Sequence, residues 1–292
     1  ICENDDQESV EIANDIAKQL QAKKSTQRDI CLICKQRPDI YTTKIIEQLK
    51  RLGIKARVES SYQDLVKDPL TDLIIRFLRF SMDRTNTQER DLIISAFAEI
   101  KMVNTETDNP AYHKFITDLY QVLADTRKWI LSPKSPKRAS EFIQRIVEKV
   151  IGIGRIKALF PVYKQGTYLN QQIKTLANAI QAEFTNGSPD WESAIKSFLG
   201  TDSIPIMTIH KSKGLEFKSV YFIGLDDESF NNFAQNSAED RCAFFVALSR
   251  AKENVTFTFC DWRNHLQRHH NSINEFYQLL QSDKSVKVTD LR

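Results

Sequence analysis

No stretch of this sequence approaches the roughly 20 apolar residues that a membrane-spanning helix needs, and no secretory signal stands at its start. A membrane is therefore not expected among its partners. Charge of one sign is not in excess either: 41 Lys and Arg stand against 38 Asp and Glu, a net charge of +3. Such a balance does not establish a nucleic-acid partner, and permits one where basic groups cluster, as at His210, Lys211 and Lys213. Cysteine is scarce, five residues in 292. Cys31 and Cys34 form a lone C-x-x-C, with no second pair and no H-x-x-H at zinc-finger spacing, so no metal site is expected. Inside the apolar run Ile30-Cys-Leu-Ile-Cys34 these thiols read as buried strand residues in a reducing compartment. The chain does not open on Met, and is expected to be a piece of something longer.

What is present is ordinary globular material, 27% charged and 41% hydrophobic, long enough for two domains. Apolar residues from Ser9 to Gln21 recur at helical spacing. A strand over Asp29–Cys34, a helix over Asp39–Leu52 and a short strand over Ala56–Glu59 follow. From about Leu65 to Leu199 the periodicity is almost entirely helical, with stripes such as Leu70, Leu73, Ile74, Phe77 and Leu78, and breaks at Asn109-Pro110, residues 132–136 and Asn186-Gly-Ser-Pro189. The β-α-β pattern resumes at Ile204. The predicted fold is α/β: a parallel-sheet domain of about five strands, built from residues 1–63 and 200–282, split by an all-helical insertion over 64–199. Residues 283–292 read as a polar, loosely held tail.

Two blocks carry chemistry. In Ile204-Pro-Ile-Met-Thr-Ile-His-Lys-Ser-Lys-Gly-Leu-Glu-Phe217 an apolar strand turns abruptly basic. A second apolar run, Ser219–Leu225, and the acidic Asp226-Asp-Glu228 follow, which suggests a loop at the carboxyl edge of a parallel sheet, where open α/β sheets bind ligands. In Glu239-Asp-Arg-Cys-Ala-Phe-Phe-Val-Ala-Leu-Ser-Arg-Ala-Lys252 a buried helix over 238–249 ends on Ser249 and Arg250, with a strand after it at Asn254–Phe259. An arginine fixed at a helix end is a rigid cation suited to a phosphate.

These blocks resemble motifs V (Thr208–Phe217) and VI (Glu239–Ala251) of the UvrD/Rep-like superfamily 1 DNA helicases, with Ser249 where Thr is commoner and Phe245 where Tyr is commoner. Ile30–Arg37 is similar to segment IVa. The resemblance implies the second RecA-like motor domain, 2A, of the P-loop NTPase fold, with the helical insertion where the family carries subdomain 2B. It implies an ATP-dependent DNA helicase or translocase of 3′→5′ polarity, located in the cytoplasm and nucleoid-associated if bacterial. The implied cofactors are ATP and Mg²⁺, bound mainly by an N-terminal half that holds the P-loop. This sequence contains no G-x-x-x-x-G-K-[ST], so the chain alone is expected to be inactive as an ATPase. The implied partners are single-stranded and duplex DNA, the N-terminal RecA-like domain of the full-length protein, and repair or recombination proteins through the insertion. An alternative of another class is a non-catalytic DNA- or protein-binding scaffold derived from the 2A fold.

By the same resemblance Arg250 is the catalytic arginine that reaches the γ-phosphate, Glu216 lies at the nucleotide's sugar and phosphate edge, and Gly214 lets the backbone approach. Thr208, His210, Lys211 and Ser212 face single-stranded DNA, and Lys35 and Arg37 add phosphate contacts. Each has a plain alternative: a helix-terminal arginine on a dipole or carboxylate, a first-turn glutamate, a turn glycine, a structural histidine, solvated turn charges. Arg241 is expected to pair with Glu239 or Asp240, and Phe244 and Phe245 to lie in the core. Val150-Ile-Gly-Ile-Gly-Arg-Ile-Lys-Ala158 fits a helix-hairpin-helix pattern, with an ordinary interhelical turn as the alternative.

Overall fold

Five strands form one parallel sheet, and their order is the feature that positions everything else. In chain order the first elements are β1 (Cys2–Asn4), α1 (Asp5–Gln21), β2 (Ile30–Cys34), α2 (Pro38–Arg51) and β3 (Ala56–Val58). Eight helices follow: α3 (Gln63–Val66), α4 (Pro69–Met82), α5 (Thr87–Lys101), α6 (Pro110–Ile130), α7 (Ala139–Arg145), α8 (Ile153–Leu159), α9 (Tyr168–Thr185) and α10 (Trp191–Leu199). The chain ends with β4 (Ile204–Thr208), β5 (Phe217–Phe222), α11 (Phe233–Leu248), β6 (Ala251–Phe257), β7 (Cys260–Arg263), β8 (Leu266–Gln267) and α12 (Asn274–Ser282). This computed structural model describes all residues except 60–62, 107–108, 165 and 232, and not the side chains of 63, 149, 150, 154 and 234–236. It divides into two compact units, Ile1–Ser60 with Gly200–Arg292, and Ser61–Leu199.

In the first unit the sheet order is β3-β4-β2-β5-β6. β4, which follows the helical stretch in sequence, is inserted between β3 and β2, which precede it. β2 and β3 of the first segment are joined only through β4 of the second, whereas β5 and β6 of the second pair directly. β2 is buried at every position, as expected of a central parallel strand covered on both faces. Alternate residues feed two cores. Cys31 and Ile33 pack with Val220, Phe222, Phe244 and Phe276. Ile30, Leu32 and Cys34 pack with Ile16, Ile45, Leu49 and Tyr221. Cys31 and Cys34 therefore point to opposite faces of the sheet, as residues three apart on a strand do. Burial also pushes both thiols well above their ordinary pKa, which favours the neutral thiol.

A second, three-stranded sheet, β1-β7-β8, was not predicted. Its strands are two to four residues long, too short for alternation to register. β1 pairs with β7 in parallel, and β7 turns into β8 through Asn264 and His265, both at positive φ, as a two-residue hairpin of the primed type requires. Glu8 on α1 and Arg263 on β7 form an ion pair with less than 3% side-chain exposure on either side, Nη2 to Oε2 2.6 Å. The guanidinium also lies 4.7 Å from the ring centre of Tyr41. The tail differs from the sequence expectation. Its side chains are exposed, yet the Leu291 N–H donates to the Ile1 carbonyl at 3.0 Å and the Ile1 amino group donates to Thr289 at 2.7 Å.

Gly224 follows β5 at φ +74, and a Cβ there would stand 2.3 Å from the Tyr41 ring. Tyr41 in turn donates its hydroxyl to Asp226 at 3.0 Å. Gly224→Ala combines left-handed backbone strain with overpacking, so we expect it to destabilise the fold by about 2–4 kcal/mol. A denaturant unfolding curve within 0.5 kcal/mol of the parent would show the close packing to be wrong.

The second unit is all helical and has its own core. Phe77 and Phe97 stack at 5.4 Å, and Trp129 lies 3.6 Å from Phe142. Asp68 caps α4 through the Leu70 and Thr71 amides and also accepts the Tyr163 hydroxyl at 2.6 Å. Sequence breaks become helix ends: Asn109 caps α6 with Pro110 in its first turn. Gly152 takes φ +91 between a π-helical turn, Ile146–Ile151, and α8. Of the Val150–Ala158 pattern, the Val150 side chain and Gly154 lie outside what the structure describes.

Candidate functional site at the two edges of the sheet

β4 and β5 flank β2 and run parallel to it, in register at Cys34–Thr208 and Ile30–Ser219. The eight residues between them, 209–216, must therefore travel from the carboxyl end of one strand back to the amino end of the other. A parallel strand of this length spans about 16 Å, so the two ends of this segment stand at opposite edges of the sheet. The expectation of one loop at the carboxyl edge holds for its first half only.

At the carboxyl edge, Thr208 and His210 meet Lys35, Gln36 and Arg37, which follow β2, in an open pocket of about 410 Å³. Asn231, Glu239 and Asp240 close its far wall. Arg37 holds the left-handed conformation, φ +51, just ahead of Pro38 at the start of α2. Lys35 is held more firmly: its Nζ lies 2.5 Å from Asp240 Oδ1 and 4.5 Å from the Phe230 ring centre. Of the six residues predicted to touch DNA, four line this pocket. The other two do not. Ser212 is fully buried and its hydroxyl donates to the Ile209 carbonyl at 2.7 Å, closing the short helical turn over His210–Ser212. Lys211 is half-buried on that turn, its amide N–H directed to Thr208 Oγ1 at 3.4 Å.

At the amino edge, Phe217 opens β5 by donating its N–H to the Arg250 carbonyl at 2.8 Å. Residue 250 thus sits beside the end of the returning segment. Every nitrogen of the Arg250 guanidinium has an acceptor: Nε on the Val246 carbonyl at 3.2 Å, Nη1 on the Leu215 carbonyl at 2.8 Å and the Ser212 carbonyl at 3.4 Å, Nη2 on the Ser249 hydroxyl at 2.9 Å. All four acceptors are neutral. No carboxylate cancels the charge among these contacts, so a phosphate oxygen could replace a carbonyl there with a net electrostatic gain. Glu216 is exposed, 3.5 Å from Lys252 Nζ. Gly214, at φ +79 with nothing within 4 Å of a notional Cβ, makes the return turn that an L side chain would strain. The residues predicted around a nucleotide are thus together, at the opposite edge from the pocket.

Sequence reasoning missed Gln36, Asn231, Glu239 and Asp240, and misplaced the partner of Arg241. That arginine makes a bidentate pair with Glu275 on α12, at 2.6 and 2.8 Å, and holds the Glu275 carboxyl below its ordinary pKa. Successive residues on a helix point about 100° apart and cannot face each other. Arg241 therefore reaches outward while Asp240 turns toward the sheet edge. Phe244 is core, stacked 4.3 Å from Phe276, but Phe245 on the next position is 55% exposed, a correction with the same cause.

Residues 96–261 match the family model described as UvrD-like helicase C-terminal domain. The chain is 39% identical over 66 residues to the ATP-dependent DNA helicase Rep of Buchnera aphidicola subsp. Schizaphis graminum, a match covering 20% of this chain and 10% of that protein. It is 36% identical over 66 residues to the ATP-dependent DNA helicase Rep of Escherichia coli, covering 21% and 10%. To DNA helicase II of Escherichia coli it is 30% identical over 67 residues, covering 21% and 9%. The matched stretch is about a tenth of the length of these curated relatives. Among the described residues, no helix is long and apolar enough to cross a membrane.

Proposed function

Because the chain belongs to the UvrD-like helicase C-terminal domain family, a family of helicases whose members use ATP, we propose that it is the C-terminal motor half of an ATP-dependent DNA helicase or translocase of 3′→5′ polarity. The sheet-bearing unit serves as motor domain 2A, and the helical unit as a 2B-like module toward duplex DNA or partner proteins. The observation that carries this reading is the Arg250 guanidinium, gathered with Leu215 and Glu216 at one edge of the sheet, whose hydrogen-bond acceptors among the described residues are neutral.

In this reading ATP, with Mg²⁺, supplies the phosphoryl transfer that drives movement, and a P-loop domain on another stretch of chain holds most of it. Arg250 presents a planar cation to the γ-phosphate. Glu216 accepts from a ribose hydroxyl, and Gly214 keeps the approach clear. At the other edge Lys35, Arg37, Thr208, His210 and Lys211 hold single-stranded DNA. Ser212 contributes its carbonyl to the Arg250 contacts rather than its hydroxyl to DNA. The segment 209–216 joins both edges, so a change at the nucleotide reaches the strand along one short piece of backbone, the kind of two-state element that coupling requires.

The chain alone, with single-stranded DNA, ATP and Mg²⁺, is expected to show no ATPase above background in a coupled phosphate-release assay. Addition of the P-loop domain should restore DNA-stimulated turnover. Robust turnover by the chain alone, after contaminants are excluded by a second purification route, would refute the half-motor reading. Failure of every P-loop partner to restore it would favour the scaffold.

A further inference from the structure

The walls of the carboxyl-edge pocket argue against a phosphate as its occupant. Lys35 and Arg37 bring two positive charges and Glu239 and Asp240 two negative ones, so the lining has no formal net charge. Lys35 is already engaged, its Nζ 2.5 Å from Asp240 Oδ1, with side chains only 15% and 5% exposed. A phosphate brought to Lys35 would meet the Asp240 carboxylate at close range, where like charges repel strongly in a partly desolvated site. The other oxygen of that carboxylate, Oδ2, is buried and has no hydrogen-bond partner among the described residues. A buried carboxylate oxygen without a donor is costly, and marks a place where a donor belongs. The pocket otherwise sets acceptors beside donors, with Phe230 beneath Lys35. That mixture suits the edge of a base better than it suits an anion.

We propose, resting on the single-stranded DNA reading above, that this pocket receives an unpaired nucleobase, and that Asp240 accepts a hydrogen bond from its exocyclic amino group. The backbone phosphates stay at the rim with Arg37 and His210, both exposed. Asp240 is then a specificity-determining residue, and the strand is gripped with a preference for bases that carry an amino donor.

The test compares oligo-dC with oligo-dU of about 12 nucleotides, within the site size of single-strand binders, by fluorescence anisotropy at neutral pH. These bases differ at C4, amino donor against carbonyl acceptor, and neither stacks strongly. Oligo-dC is expected to bind about tenfold tighter, the value of one charge-assisted hydrogen bond. Asp240→Asn should bring the two within about twofold of each other. By releasing Lys35 to the backbone, it should also steepen the log–log salt dependence by about 0.7. The parent comparison needs no variant, so a poorly folded Asp240→Asn leaves the test intact. Equal affinities, or tighter oligo-dU, overturn the base assignment while the single-strand reading stands. Binding of neither oligonucleotide overturns both.

Discussion

Arg250→Ala, in the motor completed by its P-loop domain, is expected to lower DNA-stimulated ATP hydrolysis by roughly 10³- to 10⁵-fold, the range that arginine fingers contribute in related phosphoryl transfer. Affinity for single-stranded DNA should stay within about twofold, because the pocket that holds Lys35, Arg37, Thr208 and His210 lies at the other edge of the sheet. The two readouts separate two roles that the same side chain could play. If Arg250 were only a helix-end arginine tying the Ser212 and Leu215 carbonyls to α11, its loss would loosen the 209–216 segment and weaken hydrolysis and DNA binding together. Arg250→Lys sharpens the contrast. It keeps the charge but cannot span acceptors on Val246, Leu215 and Ser249 at once, so hydrolysis should remain severely reduced. Unchanged hydrolysis in the alanine variant would mean that another arginine does this work.

The second large effect concerns the fold. Glu8→Gln is expected to destabilise the sheet-bearing unit by about 3–5 kcal/mol, since it leaves the Arg263 guanidinium buried without its counter-charge. The pair joins α1 to β7, and Arg263 also touches the Tyr41 carbonyl at 3.3 Å, so three elements share the loss. Replacing both partners, Glu8→Leu with Arg263→Met, should recover much of it, because neither charge then needs company in the interior. Denaturant unfolding followed by a probe in this unit measures both variants. A single variant within 1 kcal/mol of the parent would show that water reaches the pair.

Much of the local structure was legible because hydrophobic period is a local property. The buried run Ile30–Cys34, the stripe from Leu70 to Leu78 and the apolar stretch before Thr208 each became the element their spacing predicts. What failed to show was either too short or too distant. β1 and β8 hold three and two residues, and the partners Lys35–Asp240 and Arg241–Glu275 are 205 and 34 residues apart. Phe245 and Asp240 were misread because each has a neighbour of like character on the helix, Phe244 and Glu239, while rotation about the axis decides which of them faces solvent.

The sequence by itself determined an α/β sheet with helical companions, the absence of a P-loop, and the motif residues through which the chain resembles its helicase family. Only the tertiary structure decided that β4 lies between β3 and β2, and that the segment after it crosses the sheet, with His210 at one edge and Glu216 beside Arg250 at the other. The physical reason is that side-chain period fixes what each stretch becomes. Strand order and register are set by pairings between residues far apart in the chain, and no local pattern encodes them.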